Sequence, residues 1–158
     1  MQVFVSQHPG LYGVGFASCF VVLWVVGGFL VGLASGWQIL AERYRTELEY
    51  PVHRRRMQSA QMRALIGYNN VLTLGSDMEG IYLGMPFLFR IGHPRLFVPW
   101  AEIEIEAPKR WLLFEVQTLR LGVNRIPLRL RVSLVDFLLA SRGPDVADGN
   151  ERPYPVGI

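Results

Sequence analysis

Hydrophobic and polar positions divide the chain into two unequal parts. Residues 14–35 are apolar or small throughout, VGFASCFVVLWVVGGFLVGLAS, and no Asp, Glu, Lys or Arg occurs before position 42. At 1.5 Å per residue such a run crosses a bilayer core of about 30 Å as a single helix. The pattern then changes. Residues 37–49, WQILAERYRTELE, are good helix formers, with Glu42, Arg45 and Glu49 spaced for i,i+3 and i,i+4 contacts. Pro51 interrupts this run, and 52–66 reads as a second short helix with a weak apolar stripe of Met57, Ala60, Ala64 and Leu65.

After Gly67 short alternating runs take over. Strands are predicted over 71–74, 80–83, 87–91, 96–106, 111–121 and 125–131. Ile103 and Ile105 oppose Glu102, Glu104 and Glu106. Leu112, Phe114, Val116 and Thr118 share one face. Ile126, Leu128 and Leu130 point inward, with Arg125, Arg129 and Arg131 outward. A closing helix is expected after Ser133 as N-cap, with Asp136 completing a box-like start and Gly143-Pro144 as the stop. The expected organisation is an outside tail (1–13), a transmembrane helix (14–36), a juxtamembrane helical connector (37–66), a β-domain with its C-terminal helix (67–142) and an irregular tail (143–158). The fold class is α+β, with an antiparallel sandwich or barrel.

Charge then sets orientation. All 16 Lys+Arg residues follow the apolar run, beginning with Arg43 and Arg45. The positive-inside rule puts the C-terminal part in the cytoplasm, as in a bacterial inner-membrane protein with its N-terminus outside. A cleaved secretory signal is the rival reading, but MQVFVSQHPG has no basic residue and Ala34-x-Gly36 is a poor cleavage site. The net charge of +3 does not point to nucleic acid, because the arginines are dispersed and Lys109 is the only lysine. The single cysteine, Cys19, lies in the span and forms no intramolecular disulfide or thiol-based zinc site.

The segments 77–83 (DMEGIYL) and 93–103 (HPRLFVPWAEI) resemble bacterial pleckstrin-homology-like (PH-like) and GRAM-like domains. In these, a glycine-led strand precedes an "I-P-W-x-x-I" signature. The resemblance covers roughly 68–141. It implies a small β-domain closed by a helix, in a single-pass membrane protein, and it brings no catalytic motif.

Candidate contact residues fall into three groups. Gly28, Gly32 and Gly36 are spaced by four and flanked by Ser35, so they form a small-residue face on which another membrane helix could dock. Tyr12 and Trp37 fit the aromatic belts, Trp24 is placed near mid-span, and Arg54, Arg55 and Arg56 suit the anionic inner surface. Arg125, Arg129 and Arg131 form a comb that either pairs with the glutamate comb or meets headgroups or an acidic partner. His8, His53 and His93 fall in different regions, and His93, in a Gly-His-Pro turn, reads as a turn or packing residue. No phosphate loop, nucleophile elbow or metal-ligand cluster stands out, so no cofactor or metal is expected.

The function expected from these features is non-enzymatic. The chain would serve as a scaffold or accessory subunit docked on other transmembrane subunits, with a respiratory or photosynthetic complex as one host, or as a homodimer. The alternative is a module that binds membrane-lipid headgroups through its basic residues.

Overall fold

The computed structural model describes residues 9–63, 66–111 and 114–142, with side chains from residue 13 onward and Trp111 excepted. Helix α1 (Pro9–Ser35) takes up the apolar run, so the last residues of the expected outside tail are already helical. Its Gly13–Ser35 stretch is long and apolar enough to cross a membrane, although a signal sequence meets the same description. Gly36 ends it at φ 83°, a left-handed conformation that suits glycine, and α2 (Trp37–Tyr44) leaves in a new direction. The i,i+3,i+4 spacing of Trp37, Leu40, Ala41 and Tyr44 puts one buried stripe of α2 into the β-domain core.

Eight strands follow: β1 (Arg54–Met62), β2 (Ile66–Ser76), β3 (Gly80–Gly84), β4 (Leu96–Pro99), β5 (Ile103–Ile105), β6 (Lys109–Trp111), β7 (Phe114–Leu121) and β8 (Ile126–Arg131). Seven of them run antiparallel in the order β4-β3-β2-β1-β8-β7-β5, and β6 pairs with β7 off that path. A single turn of 3-10 helix, Trp100–Glu102, joins the two end strands, so the sheet curls into a nearly closed barrel. Helix α3 (Val132–Leu139) packs Leu134, Val135 and Leu138 on the strands. The fold class is α+β, as expected.

The expected helix over 52–66 is a correction. Residues 54–62 form β1, between β2 and β8. It pairs with β2 along most of its length and with β8 at Gln61 and Met62, and Ala60 and Met62 reach the core at a spacing of two. A stripe of small residues offers a helix too little apolar area to compete. A bulge at Met57, φ 55°, shifts the β1–β2 register.

Other boundaries moved for local reasons. The expected strand at 87–91 is a one-turn 3-10 helix, Phe87–Phe89, entered through Pro86. The run 96–106 is split at Pro99 into β4, a turn and β5. On β7 the inward residues are Leu119 and Leu121, while Phe114 is exposed and Val116 only half-buried. Register explains this, because Leu121 pairs with Ile126 and Leu119 with Leu128, and directly paired residues share a face. Ile126, Leu128 and Leu130 are inward as expected. Helix α3 begins after Arg131 without a side-chain cap, and Ser133 lies inside its first turn.

Candidate functional site

The segment between β3 and β4, residues 85–95, holds the barrel against α1. The carbonyl oxygen of Ile91 lies 3.2 Å from where a Cβ on Gly28 would stand, and that of Gly92 lies 2.5 Å from the corresponding point on Gly32. The Gln38 amide donates to the Gly92 carbonyl at 2.6 Å, and the Trp24 indole N–H donates to the Leu88 carbonyl at 3.2 Å. The face of Gly28 and Gly32, expected to receive a second membrane helix, is therefore covered by the chain's own backbone. Gly36 is not on that face, since it forms the left-handed turn after α1. Ser35 is buried, with its hydroxyl donating to the Gly32 carbonyl at 3.1 Å and accepting from the Trp37 amide at 3.2 Å.

Trp37 is not an interfacial anchor. It is fully buried, and its indole N–H donates to the Pro94 carbonyl at 2.9 Å. Trp24, half exposed beside Phe89, is the tryptophan at the edge of the barrel. The side chain of Tyr12 lies outside the described residues. Behind the 85–95 segment, His93 is only 3% exposed. Its Nδ1 lies 3.1 Å from the Ile91 carbonyl, and its Nε2 lies 2.9 Å from the Tyr68 hydroxyl. With Nδ1–H donating, Nε2 accepts the Tyr68 proton. Burial lowers the His93 pKa against the opposing Ile91 bond, and burial pushes Tyr68 up to about 12. The pair is a neutral packing unit, in line with the expected role of His93.

The arginine triplet is divided by strand alternation. Arg55 turns toward α3 and stacks 4.2 Å above the Phe137 ring. Arg54 and Arg56 turn the other way, into a depression of about 680 Å³ that Glu49, Tyr50, Arg90 and Arg95 also line. Arg95 lies 5.0 Å and Arg54 6.0 Å from the Tyr50 ring centroid. The Tyr50 hydroxyl packs over Gly84 and has no hydrogen-bond partner among the described residues. Burial raises its pKa, against the pull of Arg95, Arg90, Arg54 and Arg56. Among the described residues, none of these four arginines is in an ion pair. Adjoining them, Phe87 and Leu88 are 80% and 67% exposed.

The other arginine set is engaged differently. Glu104 pairs with Arg125, and Glu106 pairs with Arg120 and Lys109. Glu102 lies 3.8 Å from Arg43 and accepts a hydrogen bond from the Tyr44 hydroxyl. Arg131 stacks 4.9 Å above the Phe114 ring, and Arg129 also interacts with its surroundings. The comb of Arg125, Arg129 and Arg131 is thus part of a mutually satisfied surface, and the structure does not bring it to the Arg54 cluster.

Sequence reading missed Tyr50, Arg90 and Arg95. Arg90 and Arg95 bracket the Gly-His-Pro turn, which was the available signal, whereas nothing local marks Tyr50. Among the described residues, no group of His, Cys, Asp or Glu is arranged to hold a metal ion. Compared with known proteins, the chain matches no family model, no curated protein and no solved structure.

Proposed function

We propose that the chain is a non-enzymatic membrane module, anchored by α1 with its N-terminus outside, whose cytoplasmic barrel binds anionic lipid headgroups. One observation carries this reading: Arg54, Arg56, Arg90 and Arg95 converge around Tyr50 with Glu49 as the one acid lining the depression and no ion pair among the described residues, beside the exposed Phe87 and Leu88. Four cations gathered at one place repel each other, and a phosphate group relieves that repulsion. Next to a membrane span, the apolar side chains have hydrocarbon to enter and the arginines have headgroups to meet, for about 1 kcal/mol each.

Retention of α1 as an anchor, rather than its removal as a signal, is supported by its packing. Removing it would uncover the backbone at 91–92 that rests on Gly28 and Gly32. The charge asymmetry supports a bacterial inner-membrane location with the barrel inside. The resemblance to PH-like domains agrees with strands closed by a terminal helix. An accessory subunit of a larger complex would have to dock through the uncovered sides of α1.

The test uses the full chain in phosphatidylcholine nanodiscs carrying a small fraction of dansyl-labelled lipid. Energy transfer from tryptophan reports which lipids collect around the protein. Labelled phosphatidylglycerol is expected to exceed labelled phosphatidylcholine, and the excess should vanish when all four arginines become glutamine. Equal transfer from the two lipids in the wild type would sink the reading. A stoichiometric protein partner retained from native membranes would favour the accessory-subunit alternative.

A further inference from the structure

On the other side of the 85–91 segment from the arginines, an apolar groove of about 490 Å³ separates α1 from the barrel. Leu23, Trp24, Gly27 and Val31 form its α1 wall, and Val71 and Met85 belong to the opposite wall. Leu88, Phe89 and Ile91 flank it, while Tyr68, Asn69 and His93 contribute its uncharged polar part. No charged side chain lines it. The Tyr68 hydroxyl and His93 are already hydrogen-bonded to each other, so the polar part asks for no ion.

Depth decides what fills such a groove. A hydrocarbon core of about 30 Å, counted from Gly13 at 1.5 Å per residue, ends near Leu33 with its midplane near Leu23. Residues 23–31 then lie in the inner leaflet. The groove is continuous with the lipid-facing surface of α1, where Leu23 and Trp24 are exposed. Water is disfavoured there, and a charged headgroup finds no partner.

We infer that this groove holds one hydrocarbon chain of a bilayer lipid, entering sideways from the inner leaflet and lying between α1 and the barrel. The inference rests on the anchor reading above but not on headgroup binding by the arginines. The barrel is thereby seated partly on lipid, beside its direct contact with α1 at Ile91 and Gly92, with the 85–91 segment dipping into the leaflet beside the chain.

The experiment uses the full chain in nanodiscs made with neutral phosphatidylcholine bearing a diazirine on one acyl chain. Photolysis and peptide mass spectrometry locate the labelled residues. Nothing lies within 4 Å of the position a Cβ on Gly27 would take, so Gly27→Trp fills the groove without displacing the backbone. Val22→Trp, outside the groove, controls for added bulk. The expected result is label on Val71 and Met85, at least tenfold lower in Gly27→Trp and unchanged in Val22→Trp. Label along α1 with none on the barrel wall would overturn the groove while keeping the anchor. Equal barrel labelling in Gly27→Trp and wild type would also overturn it, and so would protein–protein crosslinks through the groove, which would assign it to a second copy. Absence of label from α1 itself would overturn the anchor reading.

Discussion

Two groups of arginines share this barrel and differ in what stands opposite them. Around β5, β7 and β8, Arg120 and Arg125 face Glu106 and Glu104, and Arg131 covers Phe114. Around Tyr50, Arg54, Arg56, Arg90 and Arg95 face one another. The first group is electrically closed, and its exposed pairs are each worth under about 1 kcal/mol. The second group is open, and it adjoins the segment that touches α1. The same residue type is thus a solvated face in one place and a candidate anion site in the other, and only the neighbours distinguish them.

The difference can be broken from either side. The largest effect is expected from replacing Arg54, Arg56, Arg90 and Arg95 together by glutamine. At about 1 kcal/mol each, the preference for phosphatidylglycerol should fall by up to roughly a thousandfold, measured by energy transfer in nanodiscs. Replacing Arg125 and Arg131 instead should change it by less than about twofold. A comparable loss from both replacements would mean that overall charge, not the cluster, attracts lipid.

Next comes the joint that ties the segment carrying Arg90 and Arg95 to α1. Gly32→Leu must push back the Gly92 backbone, and overpacking of this kind costs about 1–3 kcal/mol. The 85–93 segment should become markedly more sensitive to limited proteolysis, while Gly27→Leu, which meets nothing, should not. Equal resistance of both variants would refute the clasp.

Acid should loosen the same joint. His93 has a lowered pKa in the folded state, so the unfolded chain binds its proton first as pH falls. The stability from neutral His93 is fully present above about 6.5 and declines below that value toward the folded pKa. Amide exchange at 91–94 should rise over that interval in the wild type, and His93→Gln should flatten the response.

The smallest effect sharpens the closed side. Glu104→Gln releases the exposed Arg125, and stability should change by under about 1 kcal/mol in chemical denaturation. Lipid preference should stay within about twofold of wild type. A large gain in anionic-lipid preference would show that the closed cluster is held back only by its acids.

Much of this architecture was legible before the structure. The charge-free run gave α1, because length and unbroken apolarity mark such a helix without tertiary information. The alternation of 126–131 gave the inward face of β8, and turn signals placed β3 and α3. What failed had non-local causes. Strand β1 was read as a helix because its pairing with β2 and β8 is invisible along the chain. Which side chains of β7 supply the apolar core, Leu119 and Leu121, follows only from its register with β8; of the four residues expected to share a face, Leu112 lies outside the described residues and Thr118 is buried. At the candidate site, Arg54 and Arg56 were legible as basic residues near a membrane. Their separation from Arg55, and their meeting with Arg90 and Arg95 from another segment, required the fold. The glycine seam was expected to receive another membrane helix, but the backbone that approaches Gly28 and Gly32 belongs to the same chain.

The left-handed turn at Gly36 has a consequence for biosynthesis. Trp37, Leu40 and Tyr44, which follow it directly, end in the middle of a barrel whose strands are all made later. The first core residues made are therefore joined by a single glycine to the apolar helix, and every strand that covers them comes later in the chain. The barrel is thus a shell closed around residues that precede all of its strands, so a cut at Gly36 would remove part of its core along with the apolar helix.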